Sequence, residues 1–256
     1  MNFNLIFLAL AVMFVGCEKD NDDDISAIST VNFKFTHKWN ETEVLNTNFN
    51  TLQFTNAFGN ELTIERLRYL ISKIKLTKNT GEVITINEYT LVDLEDINSL
   101  SFSTNQAVAL GHYSNISFVF GFTNEDNTDG TYTDLNSASW NVPALLGGGY
   151  HYMQLDGKYI NSSNIETGYN YHAIRAADNP GPNPSFPQDT FFEVNLGEIH
   201  LNGTTQITIA MDIAQWFKEP NLWDLNQYDQ MLMPNSTAQI LMYQNGQNVF
   251  NLVSVE

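Results

Sequence analysis

Five histidines, His37, His112, His151, His172 and His200, carry most of the metal chemistry available to this sequence. Neutral imidazole suits copper, zinc, iron and nickel. None of the five sits in a local signature such as H-x-x-x-H or H-E-x-x-H, so a centre would have to be assembled from separate strands. On spacing alone each is a candidate ligand and equally a satisfied core or surface histidine. His37 ends the alternation of "FKFTHKW" on the face of Phe33 and Phe35, as a core residue or a site residue at the core's edge. In "LLGGGYHYMQLDGKY", His151 follows Gly147, Gly148 and Gly149. Glycines there allow another backbone or a ligand to come close, and strand alternation sets Tyr150 and His151 on opposite faces. In "GYNYHAI", His172 shares a face with Asn170, and Tyr169, Tyr171 and Ala173 take the other. His112 in "LGHYSN" reads as a turn residue in solvent, and His200 as a strand residue free to face water.

Other chemistry has little to build on. No G-x-S-x-G elbow is present. The single cysteine, Cys17, leaves no thiol for catalysis if it is consumed in processing. Carboxylate pairs can be drawn at will from 29 acidic residues, so none is informative. Set against an EF-hand, "EDNTDGTYTDLN" places Gly130 at the required glycine but Asn136 where a bidentate Glu is needed; it reads as a polar loop. The expectation is a protein without catalytic residues.

Strands must position these side chains. "VNFKFTHKW", "KIKLTK", "VITINEYTLV", "ISFVFGF" and "YHYMQLDGKYI" are short apolar or alternating runs separated by Asn, Asp, Gly and Ser clusters. "IERLRYLISKIKL" also fits a helical period, but the alternation from Lys73 favours a strand. "IHLNGTTQITIAMDI" reads as a hairpin region turning at "NGTT", and "QILMYQNGQNVFNLV" as another turn around "QNG". "MDIAQWFKEP" predicts a strand entering a short helix capped by Asp212 and stopped by Pro220. The prolines of "AADNPGPNPSFPQDT" mark an ordered surface loop. The sum is a mainly β, antiparallel β-sandwich-like single domain with one or two short helices.

The N-terminus "NLIFLALAVMFVGC" has an apolar run from Leu5 to Val15. That is short of the about 20 residues a membrane-spanning helix needs and suits a secretory signal. Gly16 before Cys17 resembles the lipobox of a bacterial lipoprotein, although "MNFN" lacks a Lys or Arg. Residues 1–16 are therefore expected to be a signal peptide, Cys17 the lipidation site, residues 17–29 an acidic flexible tether and residues 30–256 the β domain. The segment "EKDNDDDISA" also resembles the acidic export signal of Bacteroidota surface lipoproteins. A lone cysteine implies a domain without disulfides, stabilised by its core. Eleven basic residues against 29 acidic ones give a net charge of −18, which repels phosphate backbones and excludes nucleic acid as a natural partner.

The ordered run "VNFKFTHKW", "FTNAFGNELTIERLRYLISKIKLTKNTGE", "YTLVDLED", "LGHYSNISFVFGF", "GGGYHYMQLDGKY", "YNYHAI" and "IAMDIAQWFKEP" resembles the MbnP-like family, the MbnP/CorA/MopE-type proteins, in its Bacteroidota lipoprotein branch. The resemblance implies an exported, largely β protein, lipid-anchored to the outer membrane and surface-exposed. It implies copper bound through histidines, with a tryptophan oxidised to kynurenine by a di-haem partner enzyme of the MauG/MbnH type. It assigns His37, His151, His172 and Trp140 as the metal site. Trp140 departs from the family pattern, since "NVPALLGGG" separates it from the Gly-Tyr; it is either displaced from the site or a core tryptophan, with His151 filling the vacancy. The role implied is copper capture, storage or hand-off. The alternative is a non-catalytic cell-surface β-sandwich module that binds a glycan or an envelope protein, with incidental histidines.

Overall fold

The computed structural model describes residues 27–256 except Asn105, and says nothing of the Asn87 side chain. The expected signal segment, Cys17 and most of the expected tether lie outside the described residues. Ile28–Ser29, within the segment expected to be tether, pairs with Val108–Ala109.

Two sheets face each other. The nine-stranded sheet is organised on Arg66–Lys78, the longest strand. Val83–Asp93 runs along one edge of it. Its other edge is shared: Gly111–Phe120 pairs with its second half and Met153–Ile160 with Arg66 to Tyr69. Glu166–Ala173 then pairs with Met153–Ile160. The five-stranded sheet centres on Val31–Trp39 and Thr205–Asp212. Alternation decides both. In Val31–Trp39 every odd residue is buried, so Phe35 and His37 meet Tyr69 of the facing sheet, and Phe250 packs against Tyr69, Phe118 and Phe120.

The mainly β sandwich is as expected, and the segment with helical spacing is a strand from Arg66. Asp212 caps the 3₁₀ turn Ile213–Phe217 through the Ala214 amide. Four local expectations are corrected. Thr205–Asp212 and Val31–Trp39 are parallel, within an otherwise antiparallel set of pairs. "NGTT" turns no hairpin: Ile199–Leu201 belongs to the nine-stranded sheet and Thr205–Asp212 to the other, so the turn is a crossover between layers. "QNG" ends a helix, Ser236–Gly246, whose first turn is capped by Asn235 accepting from the Ala238 amide. Gly246 is needed there because a Cβ would lie 2.6 Å from the Phe192 ring. His112 sits within the Gly111–Phe120 strand, exposed as expected but not in a turn.

Candidate metal centre

His151 precedes its strand, which begins at Met153. Tyr150 and His151 are both buried and lie ahead of that strand, outside its alternation. Residues 140–142 and 149–151 run antiparallel instead. Val142 N–H donates to the Gly149 carbonyl, and His151 N–H donates to the Trp140 carbonyl, each at 2.9 Å. The glycines serve this fold-back. Gly149 has φ +79°, and a Cβ there would lie 2.6 Å from Asn127 Oδ1 and 2.8 Å from the Asn127 carbonyl. The close neighbour that the glycines admit is Asn127, whose Oδ1 accepts from Tyr150 N–H at 2.8 Å.

The ring of His151 is held at Nδ1, 2.9 Å from the Trp140 carbonyl. A carbonyl only accepts, so Nδ1 carries the hydrogen and Nε2 presents a lone pair. Burial pulls the pKa of His151 down from 6.5 to about 4, so the ring is neutral and fit to ligate at ordinary pH.

His172 stands beside it, with ring centroids 5.4 Å apart and planes at 84°. Register explains its partner. His172 opposes Gln154, and Asn170 opposes Asp156, so all four share one face. Asp156 Oδ1 accepts from His172 Nε2 at 2.7 Å and from Asn170 Nδ2 at 2.7 Å. Arg66 completes the cluster, 3.2 Å from the other carboxylate oxygen. Burial alone would raise the Asp156 carboxyl; the His172 and Asn170 bonds and the Arg66 charge outweigh it and hold the pKa below its ordinary value. With Nε2–H committed to the carboxylate, the neutral form of His172 carries its lone pair on Nδ1. A carboxylate or carbonyl behind each imidazole is the outer arrangement that orients metal-ligating histidines.

Trp140 is fully buried with its ring centroid 5.6 Å from that of His151. Arg68 lies over the indole at 5.0 Å and donates to Gln154 and to the Ala138 carbonyl. The indole Nε1 is buried and has no hydrogen-bond partner among the described residues.

Of the four residues expected at a metal site, His151, His172 and Trp140 therefore come together. His37 does not join them. Its Nε2 is 3.0 Å from the Tyr69 hydroxyl, between the sheets. Tyr69 alternates with Arg68, so His37 and His172 lie on opposite sides of the nine-stranded sheet. Burial drives the pKa of His37 down to about 3. His112 and His200, both exposed, oppose each other on adjacent strands, away from this group in sheet position.

One neighbour carried no sequence signal. Met233 Sδ lies 3.2 Å from His151 Nε2. Met233, Met231, His172, Pro143 and Leu146 border one cavity of about 510 Å³. Among the described residues no three His, Cys, Asp or Glu side chains form a metal-binding group; the donors gathered here are two imidazoles and a thioether. That set fits copper, for which imidazole and soft sulfur are suitable ligands, and poorly fits magnesium or calcium.

Comparison with known proteins agrees with this architecture. A sequence model of the family described as MbnP matches residues 28–237. The solved structure of MbnP from Methylosinus trichosporium superposes with a TM-score of 0.52 at 13% identity, covering 76% of this chain and 79% of that one; at that identity the similarity is one of fold. No curated protein matches the sequence.

Proposed function

Since the chain belongs to the MbnP family, we propose that it binds copper through His151 and His172 and serves in copper capture, storage or hand-off without turnover. The observation that carries this reading is the pair of oriented imidazoles. Each has one nitrogen tied to a fixed oxygen, Trp140 O or Asp156 Oδ1, and so keeps the other nitrogen's lone pair for a ligand. Copper is the species gathered and released, and what the chain supplies is two imidazoles, each with one nitrogen tied to an oxygen, beside a cavity that His172 lines.

Trp140 is the tryptophan in this reading. Its indole N–H, without a partner among the described residues and beside His151, makes it the residue to inspect for oxidation by a MauG/MbnH-type di-haem partner. Lipidation at Cys17 and a surface-exposed position on the outer membrane complete the proposal; they rest on the leader and acidic tether. The alternative of a glycan-binding module has less support. All four tryptophans, Trp39, Trp140, Trp216 and Trp223, are buried, leaving no exposed indole as a sugar platform.

The test is metal analysis of the protein loaded with copper and dialysed, beside His151→Ala and His172→Ala. Near-stoichiometric copper in the parent and loss in both variants supports the reading. Retention in both variants refutes it. Mass analysis of the Trp140 peptide from the native host decides separately whether the indole is oxidised.

A further inference from the structure

The contact between His151 and Met233 is not a hydrogen bond. His151 Nδ1 carries the ring hydrogen because it faces the Trp140 carbonyl at 2.9 Å. Nε2 therefore points a bare lone pair at Met233 Sδ, 3.2 Å away. A thioether has no hydrogen to give and is itself a weak acceptor. Two electron-rich atoms thus meet without a proton between them, at the edge of a cavity that His172 also lines. A soft cation satisfies such a pair; a hard one, or water alone, satisfies only the nitrogen.

The methionine is also held in place. Leu232 is buried, and its carbonyl accepts from Gln239 Nε2 at 3.1 Å. The same amide donates to the His172 carbonyl at 2.8 Å. One buried side chain thus fixes the backbone of both His172 and the residue before Met233. On the far side Pro234 stiffens the chain, and Asn235 is fixed as the helix cap. The Met233 side chain packs on Val142, Leu146 and Ile174. Methionine is ordinarily an adaptable gap filler; here its sulfur is directed at one nitrogen.

We propose that Met233 is a thioether ligand of the His151–His172 site and makes that site selective for Cu(I) over Cu(II) and Zn(II). The inference rests on the reading that the two histidines hold copper. Thioether sulfur favours Cu(I), whereas imidazole alone accepts zinc and Cu(II) as well. The sulfur also carries no titratable proton, so it adds affinity without adding a competition with H⁺.

The experiment uses the full-length protein, its Met233→Leu, His151→Ala and His172→Ala variants, and anaerobic competition for Cu(I) against a chromogenic Cu(I) chelator. Parallel titrations use Cu(II) and Zn(II). Met233→Leu is expected to weaken Cu(I) binding by roughly tenfold or more, at least the loss typical of an outer-shell partner, and to weaken Cu(II) and Zn(II) binding less than Cu(I) binding. X-ray absorption at the copper edge of the unmodified Cu(I) protein supplies a readout that needs no variant, and a sulfur scatterer is expected. Absence of that scatterer, or equal Cu(I) affinity in Met233→Leu while His151→Ala loses copper, overturns the role of Met233 and leaves the histidine site standing. Copper retained by His151→Ala and His172→Ala alike overturns both.

Discussion

Asp156 holds His172 from the strand next door, Oδ1 to Nε2 at 2.7 Å, and is itself held by Asn170 and Arg66. The bond fixes which nitrogen of His172 is free. Replacing Asp156 by Asn keeps an acceptor but removes the carboxylate charge behind the ring. Copper affinity at neutral pH is expected to fall by roughly tenfold, in line with other outer-shell losses, with the fold retained. A titration that finds the affinity of Asp156→Asn unchanged places copper away from His172.

His37 is predicted to govern stability rather than copper. Its pKa is about 3 in the folded protein and 6.5 when exposed. Between those values the unfolded chain binds a proton that the folded chain refuses. The contribution to stability is therefore full above pH 6.5 and is lost as pH falls toward 3, at up to about 1.4 kcal/mol per pH unit for one proton. His151 acts in the same direction, from 6.5 down to about 4. Denaturant unfolding across this range should show a shallower pH slope in His37→Gln than in the parent, and His37→Gln should retain its copper. Loss of copper from a folded His37→Gln would bring that residue back to the metal.

Gly149 is required by two constraints together: a left-handed φ of +79° and the Asn127 carbonyl where a Cβ would stand. Gly149→Ala is expected to cost about 1–3 kcal/mol from backbone strain alone and to displace His151, two residues on. Thermal unfolding should report the first effect and a drop in copper affinity the second. Gly130 shares the left-handed φ, +74°, but has open space around its Cβ position, so Gly130→Ala should lower stability through strain and leave copper affinity unchanged.

The layers were legible because alternation is a direct imprint of a sheet with one buried face; Val31–Trp39 shows it residue by residue. Glu166–Ala173 likewise divides as its alternation indicates, with Tyr169, Tyr171 and Ala173 buried and Asn170 and His172 turned the other way. The helix Ser236–Gly246 was not legible. Its buried positions are Ala238, Gln239, Met242, Asn245 and Gly246, so polar residues interrupt the apolar period that would reveal it. Gln239 and Asn245 are buried because they bond loop and strand backbone. The site was half legible. The family resemblance, carried on Gly-Tyr-His and the run around His172, singled out these two histidines, and the structure sets their rings side by side. Met233 lies 82 residues from His151 in the chain, and a methionine has no spacing signature. His37 resembled His172 as an imidazole on a regular strand face; only the sheet between them separates a core residue from a site residue.

Gln239 joins the two halves of the centre, and its replacement should separate stability from site geometry. Its Oε1 accepts from Ile174 N–H at 2.8 Å, and its Nε2 donates to the carbonyls of His172 and Leu232. Gln239→Leu leaves these buried backbone groups without that partner, at about 1–3 kcal/mol for an unsatisfied group. A purely structural role would lower the unfolding temperature of the metal-free protein and leave the increment on adding copper unchanged. A role in aligning His172 with Met233 predicts more. Since a ligand stabilises in proportion to the logarithm of its saturation, weaker binding must also shrink the copper-induced increment. Melting curves of parent and Gln239→Leu with and without Cu(I) measure both quantities. An undiminished copper increment in the variant would show that the metal holds its own ligands in place without Gln239.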